Sequence, residues 1–450
     1  MDDATSLAAA IAAGHLTSLE AMRASLAAAE ARNDLGALAR IEPELGLARA
    51  TDADAQPMAG RGLFHGVPFL AKDLGSYGQG LAPLAGSPAL ASRYADPEED
   101  DDLFQAFRAS GLLPFGLTTV PEFGLALTSE PPGGPPARNP WNVDFSPGGS
   151  SGGAAAAVAS GIVSIAHATD AAGSTRVPAA CNGLVGLKPS RGRIPGGPHF
   201  NNHLMGIAAE LVVARSVRDV RTAFKAVKTP AAGNDRPIKR IGLALSPRCS
   251  NATNAQNQKA AEQLSTLGYE LTEISSLDAM GLEAHKLARI VFRVGLANWL
   301  GMEGLGADDV TPIALAIAEE GRALEPMAIY TASKEMARLT HEAGMLFDDV
   351  DGILCPVLAD GPPKVGAFDP TKTDPEARLD QMEAVAPNVA LANVAGLPAL
   401  SVPFGMMDNL PFGVQLMGPQ GADEAILDVA QELQASQPPL SFPYPVAGLS

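Results

Sequence analysis

Two serines set among small residues could do nucleophilic chemistry in this chain. Ser150 lies in Gly148-Gly149-Ser150-Ser151-Gly152-Gly153, and Ser174 closes Asp170-Ala171-Ala172-Gly173-Ser174. A serine hydroxyl attacks weakly until a base takes its proton, and that base is most often histidine. The seven histidines supply no convincing partner. His167 lies inside an apolar run and reads as a core residue; His341 sits in a helical stretch, and none occurs in the last 109 residues. A lysine serves instead where burial keeps it neutral, because desolvation lowers its pKa by several units. Lys72 ends the apolar run Gly66-Val67-Pro68-Phe69-Leu70-Ala71 and is placed for that role, although a lone lysine at a strand end more often reads as a surface charge.

The spacing of the two serines has a geometric consequence. A helix of about ten residues leaving Ser150 covers ~15 Å, and a strand of about seven residues covers ~23 Å. If the strand returns antiparallel to the helix, Ser174 arrives beside Ser150 at the helix N-terminus. Backbone N–H groups there favour negative charge. The small residues 171–173 let amides turn toward a bound oxygen, as an oxyanion hole requires.

The elements that must position these residues follow from periodicity. Helical spacing runs over 2–32, with a cap at Thr17-Ser18-Leu19-Glu20. Residues 66–71 and 112–117 read as strands around a helix at 103–110. Residues 130–149, rich in Pro and Gly, are loop; an Ala-rich helix follows to Ala159, then a strand at 162–168 buried on both faces. Further on, helices are expected at 216–228, 254–267, across most of 278–347, and at 422–436. Strands are expected at 239–246, 351–357, 398–403 and 412–416, with a surface loop at 369–376. Strands alternating with helices indicate one large α/β layer domain.

Competing readings are weaker. Gly148-x-Ser150-x-Gly152 matches a nucleophile elbow, but that motif needs a strand immediately before the serine and a late histidine. No Gly-Lys-Ser/Thr follows the glycines, so they are not a phosphate loop. The acidic run 97–102 reads as a solvated helix N-terminus, and Cys181 and Cys355 as core thiols.

Gly148-Gly149-Ser150-Ser151-Gly152-Gly153, Thr169-Asp170-Ala171-Ala172-Gly173-Ser174-Thr175-Arg176-Val177-Pro178 and Gly186-Leu187-Lys188-Pro189 together strongly resemble the amidase-signature family. So do the Lys72-Asp73 block, Arg138-Asn139-Pro140-Trp141, Gly396-Leu397-Pro398 and Gly413-Val414-Gln415, in the family's order from about residue 60 to 435. The resemblance implies a single domain over 1–450, with an N-terminal helical part (1–60), a signature core (61–200) and the rest of the sheet and pocket helices (201–450). The implied fold is a central twisted mixed β-sheet covered by helices on both faces. Ser174 would be the nucleophile forming an acyl-enzyme, Ser150 a relay held by a cis peptide, and Lys72 the base. Amides of Ala171, Ala172 and Gly173 would form the oxyanion hole, braced by Asp170, Arg176 and Ser151. Many members carry two glycines before the nucleophile; Ala172-Gly173 departs from that and resembles the branch containing 6-aminohexanoate cyclic dimer hydrolase.

The implied activity is hydrolysis of the C–N bond of small carboxamides, anilides or oligoamides, with esters and carbamates (urethanes) as further substrates. No cofactor or metal is implied, and a homodimer is the family's expectation. Within the fold, the alternatives are the amidase subunit of a tRNA-dependent amidotransferase and a non-catalytic scaffold. The net charge of −18 argues against a phosphate backbone or an anionic membrane surface as partner. Aromatics at 5% argue against nucleic-acid stacking platforms. Three scattered cysteines build no disulfide framework. The N-terminus lacks a basic leader region, and no apolar run approaches ~20 residues; the expectation is a soluble cytoplasmic enzyme. Residues 195–210 and 285–330, with Asn201-Asn202-His203 among them, are expected to wall the substrate pocket.

Overall fold

Lys72 reaches the interior because the run before it is a strand with no exposed face. The computed structural model describes residues 2–231, 233–234 and 236–449. Its strands, in chain order, are β1 (Leu38–Ile41), β2 (Val67–Lys72), β3 (Leu112–Thr118), β4 (Ile165–Asp170), β5 (Val185–Lys188), β6 (Ala209–Ala214), β7 (Arg240–Leu243), β8 (Glu270–Glu273), β9 (Gly352–Pro356), β10 (Ala399–Met407) and β11 (Leu410–Met417). They form one mixed sheet in the order β1-β3-β2-β4-β6-β5-β10-β11-β9-β7-β8. β2 lies parallel to both β3 and β4, whereas β4, β6, β5, β10, β11 and β9 pair antiparallel in succession.

Alternation along the central strands divides the core into two layers. Val67, Phe69, Ala71 and Ile165 pack on one face with Phe104, Phe107 and the helix Val217–Val227. Leu70, Ala166, Ala168 and Val213 pack on the other with the helix Gly152–Ala159. Every residue of that helix is buried; its alanines keep the backbone close to the sheet, which brings Ser150 at its entrance down onto the ends of β2 and β4. A third layer of contacts, around the long helix Leu277–Glu303, closes the far side near Ala172.

The strand expected at 162–168 instead spans Ile165–Asp170. The preceding residues are consumed in capping the helix: Gly161 takes φ +70°, and the amides of Ile162 and Val163 donate to Ala157 O. The strand therefore begins three residues later, ends two residues further on, and delivers Thr169 and Asp170 itself. The acidic run does lead into a helix N-terminus, at Asp102, with Glu98, Glu99 and Asp102 exposed, and one member departs from the expectation. Asp101 is 2% exposed and not solvated: its carboxylate accepts from the Tyr77 amide and meets His199 Nδ1 at 2.7 Å.

Among the described residues no helix is long and apolar enough to cross a membrane. At the N-terminus, Thr17 and Glu20 form a reciprocal capping box on the helix Ser18–Ala31. Thr17→Ala is expected to cost about 1 kcal/mol, read as a lowered urea midpoint with unchanged m-value.

Candidate active site

Three segments converge at the C-terminal ends of β2 and β4. β2 supplies Lys72, fully buried, whose Nζ lies 2.7 Å from Ser150 Oγ and 2.6 Å from Thr169 Oγ1. Its backbone N–H donates to His167 Nδ1 at 3.2 Å. His167 must then carry its proton on Nε2, which donates to the buried carboxylate of Glu210 at 3.1 Å. His167 is thus a satisfied core residue bracing the strand under Lys72. Among the described residues no carboxylate lies within ion-pair distance of the amine.

Desolvation pushes the Lys72 amine down to about 7, partly opposed by the charges of Asp170, Glu210 and Asp73. At neutral pH a substantial fraction is uncharged, and a neutral amine can accept the Ser150 hydroxyl proton across the same 2.7 Å. Burial alone does not single Lys72 out. Lys188 is also buried and pushed down to about 7, but its Nζ donates to the Pro189 carbonyl, which has no proton to give.

The Gly149–Ser150 peptide is cis. A Cβ at Gly149 would lie 2.4 Å from Thr128 O, so only glycine fits before the serine. Ser129 Oγ donates to Ser150 O, and Ser151 ties the two serine loops together: its amide donates to Ser174 O at 3.2 Å, and its hydroxyl bonds Thr169. Ser150 and Ser174 line one cavity of about 50 Å³ with Thr169, Ala171 and Ala172. The Ser174 hydroxyl makes no hydrogen bond among the described residues, to Ser150 or to any other group. The lysine–serine link is formed; the serine–serine link is open.

The loop after β4 is built around Asp170. Its carboxylate accepts from the amides of Gly173 (2.7 Å) and Thr175 (3.1 Å) and from Arg176 Nε and Nη2, each at 2.9 Å. Burial, the largest single influence, raises the Asp170 pKa, but the Arg176 charge together with hydrogen bonds from Arg176, Asn393 and the Gly173 amide outweighs it and holds the carboxyl well below the usual range. Arg176 is fully buried and also donates to Val389 O, Gln415 Oε1 and Asn393 Oδ1.

This brace narrows the expected oxyanion donors. The Gly173 amide is already engaged by Asp170, whereas those of Ala171, Ala172 and Ser174 have no acceptor among the described residues. Gly173 has φ +102°, and a Cβ there would press on Val389. Ala172 lies outside the positive-φ region, so the alanine replacing a glycine imposes no strain.

Outside the serine cavity opens a vestibule of about 480 Å³, sharing Leu74, Phe123, His203 and Phe292 with it. Both stretches expected to wall a pocket contribute, through Phe200, His203 and Leu204 and through Phe292 to Glu303. Tyr77 and Tyr94 were not foreseen. Neither were Thr169, Glu210 and Asn393 as polar supports; Thr169 was legible only as the neighbour of Asp170. Cys181, Cys249 and Cys355 are free and buried, and desolvation pushes the Cys355 thiol up to about 12.

The family model described as Amidase matches residues 20–427. The "Putative amidase AmiC" of Mycobacterium tuberculosis (strain ATCC 25618 / H37Rv) is 32% identical over 465 residues, covering 97% of this chain and 94% of that protein. The 6-aminohexanoate-cyclic-dimer hydrolase of Paenarthrobacter ureafaciens is 30% identical over 480 residues, covering 97% and 95%. The solved structure of 6-aminohexanoate cyclic dimer hydrolase complexed with substrate superposes with a TM-score of 0.88 at 27% identity, over 97% of each chain. The chain belongs to the amidase signature family. It is a hydrolase of carbon–nitrogen bonds other than peptide bonds.

Proposed function

We propose that the chain hydrolyses amides through a Ser174–Ser150–Lys72 relay and an acyl-enzyme on Ser174. The observation that carries this reading is the buried Lys72 amine, 2.7 Å from the Ser150 hydroxyl and without a counter-ion among the described residues. Rotation of the Ser174 side chain toward Ser150 closes the second link. Ser174 Oγ then attacks the carbonyl carbon as its proton passes to Ser150 Oγ and the Ser150 proton to neutral Lys72. The negative oxygen is held by the free amides of Ala171, Ala172 and Ser174. Collapse breaks the C–N bond, and the proton returns from Lys72 through Ser150 to the leaving nitrogen. A water molecule repeats the sequence on the ester and releases the acid.

Asp170, Arg176 and Ser151 keep the donor loop in place. The substrate is a small-molecule amide; esters and urethanes present the same carbonyl to the same donors. A vestibule with mostly apolar walls favours an apolar portion on the substrate, which fits anilides and oligoamides better than charged amides. The test is covalent. A fluorophosphonate should add one equivalent to the native protein, mapped by peptide mass to Ser174. Ser174→Ala should remove both the label and amide turnover, the latter by at least about 10³-fold. A label on another residue, or turnover surviving in Ser174→Ala, would reject the relay.

A further inference from the structure

The proposed chemistry makes no use of one polar side chain that borders both cavities. His203 lines the cavity holding Ser150 and Ser174 and also the vestibule outside it. Its ring stacks on Phe200, centroids 4.7 Å apart, and meets Trp299 edge-on at 6.3 Å. Among the described residues neither ring nitrogen has a hydrogen-bond partner. Burial holds the imidazole below its usual pKa; Lys72 adds to this, and Glu210 opposes it. The neutral ring offers one donor and one acceptor. A ligand filling both cavities strips water from that ring, and must supply a partner or lose binding.

Two further observations point the same way. Asn202, Leu204 and Met205, on either side of His203, all take φ between +51° and +55°, a region that side-chain-bearing residues rarely adopt. Such backbone clusters at ligand-binding segments. The vestibule also gathers two of the chain's five tyrosines and one of its two tryptophans, although aromatics make up only 5% of the sequence. Tyr94, Phe123 and Trp299 present ring faces and edges that suit a planar group.

We infer that His203 is a specificity-determining residue. It hydrogen-bonds secondary amides whose aryl or other planar substituent occupies the vestibule, and so selects them over primary aliphatic carboxamides. This rests on Ser174 being the nucleophile.

The test compares acetanilide with acetamide on the full-length enzyme and on His203→Ala and His203→Gln, each also labelled with a fluorophosphonate. The native enzyme should prefer acetanilide in kcat/KM. His203→Ala should raise KM for acetanilide about five- to tenfold, with kcat within about twofold, a clearly smaller change in KM for acetamide and labelling of Ser174 intact. His203→Gln, which keeps a donor and an acceptor, should return KM to within about twofold of native. A native preference for acetamide, an unchanged KM in His203→Ala, or equal losses on both amides would overturn the inference. Absence of label at Ser174 in the native enzyme would instead remove the reading beneath it.

Discussion

Replacing Lys72 with methionine is expected to lower kcat for a small amide by about 10²–10⁴-fold while the protein stays folded. Methionine matches the length of lysine and is apolar, so it fills the strand-end site without placing an amine where charge is disfavoured. What it removes is the acceptor for the Ser150 proton, 2.7 Å away. Without it Ser174 attacks as a neutral alcohol. The pH profile carries the same information in the native enzyme. Desolvation pushes the Lys72 pKa down to about 7, and in the proposed relay the neutral form is the base. The value of kcat/KM should therefore rise with pH through a midpoint near 7 and be lost on the acid side, where the amine gains its proton. A Lys72→Met enzyme within tenfold of native, at a native melting temperature, would show that the proton goes elsewhere. So would a native profile that is flat between pH 5 and 9.

Much of this arrangement was legible before any coordinates, for reasons particular to the residues. The approach of Ser150 and Ser174 follows from chain length: an alanine-rich helix out and an apolar strand back leave few other places for the second serine. Elimination of histidine and the apolar run before Lys72 made it a candidate base, but only the family resemblance set that reading above a surface charge. The loop brace of Asp170 was visible only through family resemblance, because nothing in its composition announces six donors converging on one carboxylate.

What stayed hidden is mostly long-range. Thr169 holds the lysine amine only because β4 begins three residues late, an outcome of helix capping at Gly161 that apolar periodicity does not register. Glu210 lies in β6, whose sequence follows a proline- and glycine-rich stretch; its partners, Ser76 and His167, are 134 and 43 residues away. The edge strands β1 and β8 were missed for a different reason. Each has four residues, and β8 buries none of them, so neither shows alternation long enough to read. The vestibule aromatics Tyr77 and Tyr94 come from an irregular segment, where periodicity carries no signal.

The loop brace supports the second large effect: Arg176→Met should destabilise the fold by about 3–5 kcal/mol, measured by urea denaturation at pH 7. The arginine is fully buried, and its removal strands the Asp170 carboxylate inside the protein with no cation. The sign of the pH dependence tests this cause. In the native protein the Asp170 pKa is held below its unfolded value, so the pair's stabilisation is fully present above the unfolded carboxylate pKa. It is lost as pH falls through the folded value. In Arg176→Met, burial is left unopposed by the arginine and raises that pKa, so protonation relieves the unpaired charge and the destabilisation shrinks on acidification. Adding Asp170→Asn to Arg176→Met should restore part of the loss, because an amide can still accept from Gly173 and carries no charge. The same carboxylate raises the Lys72 pKa, so Asp170→Asn alone should move the acid limb of activity to lower pH. A double variant no more stable than Arg176→Met, or an acid limb that moves upward in Asp170→Asn, would separate the loop brace from the amine it is argued to tune.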